Sequence, residues 1–173
     1  MSSNRRFSLC GSTTRRHAIF AVTLTAMLSC VGWLASAAET QDVKGAMQFL
    51  KGETAKLGAP KLDGEVLYFG STKINGDFTV VDTVKDKRGG TATLFMKKGN
   101  NFVRVSTNVL KDGQRAVGTI LDPSGPAFAA VNQGNAFYGM VDILGKIYDT
   151  GYEPIKSDAG AIIGVYYVGY LME

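Results

Sequence analysis

The residues of this sequence best suited to acid–base chemistry are four carboxylates close together near its C-terminus, namely Asp142, Asp149, Glu153 and Asp158. Two carboxylates on either side of a substrate bond can transfer protons. Carboxylate oxygens also suit calcium, but the spacing does not match an EF-hand loop. All four acids occur where strand edges and turns are expected. We therefore interpret them as surface residues of strands and turns.

A second candidate is the glycine-containing segment from Gly139 to Lys146, which has some likeness to a phosphate-binding loop. Five residues separate Gly139 from Gly145, where the motif needs four, and Ile147 replaces its Ser or Thr. The sequence therefore does not predict a nucleotide-binding loop.

The residue types most often used for nucleophilic catalysis and metal binding occur only near the N-terminus. Cys10, Cys30, the single histidine His17 and the single tryptophan Trp33 all precede Ala38. Residues 38–173 can therefore form no disulfide, no Cys/His metal site and no Ser–His pair. We expect this part of the chain to be neither an enzyme nor a cofactor-binding or metal-binding protein.

The basic character of the chain is confined to the same N-terminal region. The sequence has 19 Lys and Arg and 15 Asp and Glu, and four of the arginines lie in residues 1–37, where there is no acid. Residues 38–173 thus carry equal numbers of positive and negative side chains. A neutral domain lacks the basic surface that nucleic-acid binding requires, and we expect no nucleic-acid partner.

Residues 1–37 have the pattern of a secretory signal peptide. A region with four arginines precedes a stretch from His17 to Ala38 without any charged residue, and Ala35-Ser36-Ala37 fits a cleavage site. The alternative is an uncleaved anchor, because about 20 apolar residues can span a bilayer. The domain of residues 38–173 is expected to be periplasmic or secreted after cleavage near Ala37, and membrane-anchored without it.

The part of the chain most clearly predicted as sheet runs from Phe137 to Gly169. It divides into three segments rich in β-branched and aromatic residues, separated by turns at Gly145 and at residues 156–160. Such short turns make the strands antiparallel. Tyr148, Thr150 and Tyr152 alternate onto one face of the middle strand.

The remaining elements are predicted from apolar periodicity and from turn residues. A helix covers residues 40–57, a turn covers 61–64, and a short strand covers 65–69. A short helix runs to Lys87, a hairpin joins 91–96 to 102–109, a strand covers 115–121, and a short helix begins near Pro126 and ends at Gly134. This order predicts an α+β fold, with helices packed against an antiparallel sheet.

Arg104 is an unusual residue for the middle of a strand. Strand alternation places Phe102, Arg104, Ser106 and Asn108 on one face and the valines on the other. If the arginine face is the core, Arg104 needs a partner there. Alternatively, the strand faces solvent and Arg104 extends its charged end into water.

Several segments, in this order, are similar to those of a known family. They are Ile74-Asn-Gly-Asp-Phe-Thr-Val-Val-Asp-Thr-Val-Lys, Gly89-Gly-Thr-Ala-Thr-Leu-Phe, Val103-Arg-Val-Ser-Thr-Asn-Val, Arg115-Ala-Val-Gly-Thr, Phe137-Tyr-Gly, Tyr152-Glu-Pro-Ile and Gly164-Val-Tyr-Tyr-Val-Gly. The set resembles the single Cache domains, which are extracytoplasmic PAS-like sensor modules of bacterial chemoreceptors. The resemblance is greatest to the Cache type 3 and Cache 3/Cache 2 groups.

This resemblance implies a PAS-like central antiparallel sheet with a long N-terminal helix on one face. Short helices and loops would cover a ligand pocket on the other face. It also implies a set of ligand-binding residues, which are Arg104, Ser106, Asn108, Arg115, Tyr138, Tyr148 and Tyr152. Arginine offers a fork of donors to a carboxylate, and tyrosine offers an apolar wall with a polar tip.

The function expected from the resemblance is sensing of a small organic ligand, such as a carboxylate or an amino acid. We expect a binding module without a signalling output domain of its own, which reports to another chain, such as a membrane receptor. The alternative is a periplasmic protein–protein interaction module that acts on a receptor without a small ligand. The resemblance also implies that two copies can pair through the N-terminal helix.

Overall fold

The centre of the fold is an antiparallel sheet of five strands in the order β5-β4-β10-β9-β8. A computed structural model describes residues 42–172 of the chain. The helices are α1 (Val43–Ala55), α2 (Thr79–Arg88) and α3 (Pro126–Asn132). The strands are β1 (Pro60–Asp63), β2 (Val66–Phe69), β3 (Thr72–Lys73), β4 (Thr91–Lys98), β5 (Asn101–Thr107), β6 (Leu110–Lys111), β7 (Gln114–Arg115), β8 (Phe137–Ile143), β9 (Lys146–Lys156) and β10 (Ile162–Leu171).

Strand β10 is the middle strand of the sheet, and its sequence suits burial on both sides. It contains no charged residue, and its side chains alternate between two separate clusters of buried residues. Val165 and Tyr167 belong to one cluster, and Val168 and Tyr170 belong to the other. Two layers must therefore cover this sheet, one on each face.

The first face is covered by α1, α2 and the small sheet of β1, β2 and β3. Helix α1 begins at Asp42, whose carboxylate accepts a hydrogen bond from the Gly45 N–H at 2.8 Å. Its buried positions follow a helical repeat, so one stripe packs against the sheet. These positions are Val43, Ala46, Met47, Leu50 and Thr54.

The second face is covered by α3 and by the loop that joins β7 to α3, which contribute Ala116, Leu121, Ala127 and Val131 to its buried cluster. Its buried cluster includes Phe95, Phe102, Tyr152 and Tyr167 from the sheet, and Val131 from α3. This is the face on which the resemblance places a ligand pocket.

The α+β fold class and most of the elements predicted from the sequence are confirmed. These include the hairpin of β4 and β5, the helix near Pro126 and the three C-terminal antiparallel strands. Helix α1 covers 13 residues and ends at Ala55 rather than at Leu57. The structure thus shows a helix on this face, but a long one is not confirmed. The proposed signal peptide and the first residues of the predicted helix lie outside the described residues.

Two local predictions are wrong. Residues 61–64 do not form a turn, because Pro60–Asp63 pairs with β2 and leaves only Gly64 and Glu65 as the connection. Residues 115–121 do not form one strand, because the chain reverses after Arg115, with Gly118 at a φ of 82°. Residues 118–121 contact β5 through an isolated bridge between Val103 and Ile120 and through three backbone hydrogen bonds. Within residues 42–172, no helix has both the length and the apolar character needed to cross a membrane.

The close contact between α1 and Gly151 of β9 allows a direct test of this packing. A Cβ added at Gly151 of β9 would lie 2.7 Å from the Tyr138 ring and 3.0 Å from the Val43 side chain. We expect Gly151→Ala to lower the free energy of unfolding by about 1–3 kcal/mol, because it forces these groups apart.

The matched control for this substitution is Gly52→Ala on the exposed side of α1. A Cβ there meets nothing within 4 Å, so the change should stabilise the helix by roughly 0.5–1 kcal/mol. Urea denaturation of both variants measures the two effects. Equal effects would show that α1 does not pack closely on Gly151.

Candidate functional site

The second face holds a buried arginine, Arg104, on the edge strand β5. Arg104 is 4% exposed, and its Nη1 donates a hydrogen bond to Thr119 Oγ1 at 2.7 Å. Its guanidinium carbon lies 5.1 Å from the centre of the Phe95 ring. Its Nε has no hydrogen-bond partner among the described residues. A buried donor without a partner is costly, and it marks a position where an acceptor would bind favourably.

Two tyrosines complete the surroundings of Arg104. The rings of Tyr152 and Tyr167 have centroids 4.9 Å apart, and both are fully buried. Burial lowers the pKa of Arg104, and the nearby phenols of Tyr152 and Tyr167 partly oppose that change. Burial also raises the pKa of both tyrosines, so the phenols stay uncharged. They supply dipoles to Arg104 but no counter-charge.

No carboxylate among residues 42–172 forms an ion pair with Arg104. The acids of the described region that do pair with basic side chains are Asp82, Glu53, Glu65 and Glu153, each with another partner. A buried cation normally has a paired anion, because leaving it uncompensated costs several kcal/mol. Arg104 is therefore the described residue most in need of an external anion.

A β-bulge in β5 separates Arg104 from two other predicted site residues. Phe95 pairs with Arg104 and Leu94 pairs with Ser106, so Val105 has no partner in the register. The extra residue reverses the alternation of faces. The prediction that Arg104, Ser106 and Asn108 share one face is therefore wrong.

Ser106 and Asn108 instead make hydrogen bonds on the face covered by α2. The Ser106 hydroxyl donates to the Asp77 carbonyl. The Asn108 amide donates to the Val81 carbonyl at 2.6 Å and accepts from the Ala92 N–H at 2.7 Å. Ser106 thus bonds to the loop before α2, and Asn108 links α2 to β4.

Arg115 also lies apart from Arg104 and has partners of its own. Its guanidinium makes two hydrogen bonds to the Asp82 carboxylate, at 2.8 and 2.9 Å, and one to the Thr107 carbonyl at 2.8 Å. It stacks over the Phe78 ring at 4.3 Å. The donors that would bind a carboxylate ligand are thus used to attach α2 to the sheet.

Tyr138 lies on the opposite face, beside α1. Its hydroxyl donates to Glu153 at 2.6 Å, and Lys51 of α1 donates to the other oxygen of the same carboxylate at 2.6 Å. Burial, followed by the bond to Glu153, raises the pKa of Tyr138. Burial alone would raise the pKa of Glu153, but the bonds from Lys51 and Tyr138 bring it below its ordinary value.

The predicted alternation of Tyr148, Thr150 and Tyr152 onto one face is confirmed by their pairing with Val141, Gly139 and Phe137. Tyr148 lines a cavity of about 280 Å³, together with Lys85, Thr91, Asn108 and Lys146. A second cavity of about 220 Å³ lies between the start of α3 and β8. Neither cavity is lined by Arg104.

Of the seven predicted site residues, Arg104, Tyr148 and Tyr152 lie on one face of the sheet. The sequence reasoning missed Tyr167, Phe95 and Thr119. Alternation in β10 places Tyr167 on this face, so its position was open to prediction. Thr119 gave no such signal, because it reaches Arg104 through an irregular loop. Among residues 42–172, no cluster of three or more His, Cys, Asp or Glu side chains could hold a metal.

Comparison of the sequence with protein-family models identifies its family. The model of the Cache 3/Cache 2 fusion domain matches residues 24–173. The chain belongs to the Cache 3/Cache 2 fusion domain family. Cache domains are extracytoplasmic sensory modules that bind small molecules.

Other comparisons add little to this Cache assignment. Comparison with curated proteins gives no match. Among solved structures, the chain is similar to a protein described as a transcriptional regulator from Rhodococcus sp. RHA1. The two are 13% identical with a TM-score of 0.41, over 74% of this chain and 73% of that one. This likeness is too distant to bear on the function of the Cache domain.

The Glu153 network predicts a pH dependence of stability. Because the folded-state pKa of Glu153 is lowered, the carboxylate stabilises the protein above its unfolded pKa of about 4.3. That contribution is lost as the pH falls through the folded-state pKa. We expect Glu153→Gln to cost about 0.5–1 kcal/mol at pH 7, and the cost should shrink between about pH 5 and pH 3.

Urea denaturation across this pH range measures the difference between the two proteins. The matched control is Glu65→Gln, since the pair of Glu65 with Lys98 is exposed on both sides and should contribute less. A cost of Glu153→Gln that stays constant down to pH 3 would contradict the assigned role of the carboxylate.

Proposed function

We propose that this Cache domain binds a small organic anion, such as a carboxylate, with Arg104 as the residue that holds its charge. The supporting observation is that Arg104 is buried without an ion-pair partner, and its Nε has no acceptor among the described residues. A carboxylate would supply both the missing acceptor and the missing negative charge. Arginine is well suited to this, because its planar fork can bind two oxygens at once.

Simple carboxylates fit this environment better than amino acids. An amino acid also carries an ammonium group, which needs acceptors or a negative charge near the bound carboxylate. The groups that surround Arg104 are the aromatic side chains of Phe95, Tyr152 and Tyr167 and the hydroxyl of Thr119. They offer an apolar wall with a few polar tips, which is typical of small-molecule sites.

Binding at Arg104 requires a local movement, because the side chain is 4% exposed. The segment that adjoins it is the loop between β7 and α3. The Arg104 N–H donates to the Thr119 carbonyl at 2.9 Å, and the Gly118 N–H donates to the Arg104 carbonyl at 2.9 Å. Opening of this loop would expose the guanidinium to a ligand. The energy of opening reduces the apparent affinity.

The second candidate function is a protein–protein interaction module without a small ligand. The observation that favours it is that Phe95, Phe102, Tyr152 and Tyr167 fill the centre of the face with the protein's own side chains, each no more than 1% exposed. A site that stays closed would make Arg104 a purely structural residue. The output of the domain would then depend on surface contacts with a receptor chain.

The remaining features extend this proposal to the whole chain. Residues 1–37 serve as a signal peptide that is cleaved near Ala37, or as an anchor that is retained. Residues 38–173 then form a single extracytoplasmic ligand-binding domain. Two copies of the domain would pair through α1, and a membrane receptor chain would receive the signal.

A thermal-shift screen of the full chain tests the proposal. A ligand at a hundredfold excess over its dissociation constant adds about 2.7 kcal/mol of stability, which raises the melting temperature by several degrees. We expect a hit among C2–C6 monocarboxylates and dicarboxylates, and none among neutral amides of the same size. Arg104→Met should abolish the shift while leaving the unliganded protein equally stable or more stable, since it removes an uncompensated buried charge.

The matched control is Arg88→Met, because Arg88 is an exposed arginine near the end of α2 that stacks on Phe49. It should keep the full ligand-induced shift. Persistence of the shift in Arg104→Met would refute the assignment of the site. The absence of any shift in the well-folded wild-type protein would favour the interaction module.

A further inference from the structure

We infer that the outer edge of β8, with the cavity beside it, is a docking site for an extended segment of a partner protein. The segment would add a strand to the sheet and place an apolar and basic side-chain pair over the cavity. This inference is independent of ligand binding at Arg104. It rests on the exposure of one sheet edge and on the shape and charge of the adjoining surface.

The two edges of the five-stranded sheet differ. The outer side of β5 is covered by the loop between β7 and α3, because the Leu121 N–H donates to the Phe102 carbonyl at 2.9 Å and Thr119 bonds to Arg104. Within residues 42–172, no strand pairs with the outer side of β8. An uncovered edge leaves backbone donors and acceptors available for an added strand.

The sequence of β8 lacks the features that usually protect a sheet edge. Natural edge strands carry lysine or proline, or are very short. Phe137–Ile143 contains neither residue, and Asp142 is its only charged side chain. Met140, in the middle of the strand, is 69% exposed. A largely uncharged strand with an unpaired edge can accept another strand.

A cavity of about 220 Å³ lies directly beside this edge. It is bounded by the start of α3, by the loop before that helix, and by β8. The lining residues are Leu121, Asp122, Gly125, Pro126, Ala127, Met140, Val141 and Asp142. Most of them are apolar, so a side chain projecting from an added strand would be buried there favourably.

The charged residues that line the cavity favour a partner segment with a basic side chain. Asp122 and Asp142 are its only charged lining residues. The Asp122 carboxylate accepts from the Ser124 N–H at 2.9 Å and from the Ser124 hydroxyl at 2.7 Å, and Asp142 accepts from the Gly145 N–H at 2.8 Å. Strand alternation places Asp142 on the same face of β8 as Tyr138, and Asp122 precedes α3 on the other face, so the two carboxylates lie on either side of the edge and keep lone pairs for a basic group. An incoming Lys or Arg beside an apolar residue matches this surface.

A second copy of the chain fits this surface less well than a basic segment does. In a symmetric pair of β8 strands, each copy would bring Asp142 to a region that already holds two carboxylates. The strand has no basic residue to offset them. Like charges placed opposite each other destabilise strand pairing. A partner with an extended segment of alternating apolar and basic residues meets the same edge without this cost.

A peptide titration of the full chain tests this inference. The probe is the fluorescein-labelled peptide Thr-Leu-Thr-Arg-Thr-Leu-Thr, acetylated and amidated at its ends, followed by fluorescence polarisation and by NMR of the ¹⁵N-labelled chain. Saturable binding is expected, with the largest amide shifts in β8. A peptide with Glu in place of Arg should bind at least about tenfold more weakly, and one with Pro at every second position should not bind.

Variants of the chain complete the test. The double variant Asp122→Asn with Asp142→Asn keeps side-chain acceptors for the local turns and should weaken binding of the Arg peptide about tenfold or more. The control Asp158→Asn, an exposed acid in the turn between β9 and β10, should leave binding unchanged. Equal binding of the Arg and Glu peptides, or shifts confined to other strands, would overturn the inference. So would a concentration-dependent dimer with altered β8 signals in the absence of peptide.

Discussion

The charge of Arg104, buried without a counter-charge, is the interaction on which the proposed function depends. A guanidinium in this position is tolerated because Thr119 accepts one of its hydrogen bonds and the Phe95 ring lies beneath it. Neither group neutralises the charge, and the buried tyrosines stay protonated. The folded state therefore contains a buried positive charge that no negative group compensates. The proposed function follows from this charge, because a bound anion would compensate it.

The general architecture could be predicted because it depends on local patterns. Alternation in β9 and β10, glycines in the turns, and the apolar stripe of α1 each specify an element without reference to the rest of the chain. Arg104 was also recognisable, because a charge in the middle of a strand is unusual. The order of the motifs then indicated the Cache family, and the family match to residues 24–173 confirmed it.

The composition of the site was harder to predict because it depends on irregular backbone. A single unpaired residue, Val105, sends Ser106 and Asn108 to the face opposite Arg104. Arg115 forms an ion pair with Asp82, which lies 33 residues before it in the sequence. Thr119 reaches the site only because the chain reverses after Arg115. Periodicity arguments assume a regular strand and cannot anticipate such long-range contacts.

The two proposed binding regions involve the opposite edge strands of the same sheet, β5 with Arg104 and β8, and Tyr152 lies between them. Tyr152 is in register with Tyr167 on one side and with Phe137 of the edge strand on the other. A ligand that displaced Tyr152 would therefore act on a direct neighbour of β8. If ligand binding at Arg104 changes the affinity of β8 for the partner segment by some factor, the bound partner segment changes the affinity for the ligand by that same factor.

The most direct test of the central claim is to observe the Nε–H group of Arg104 by NMR during titration with a carboxylate that binds. Among residues 42–172, the other arginines are Arg88 and Arg115, so few signals need to be assigned by substitution. The Nε–H signal of Arg104 should exchange slowly with water and shift with the same saturation curve as the binding isotherm. A bound carboxylate that leaves this signal unchanged would show that Arg104 does not hold the ligand.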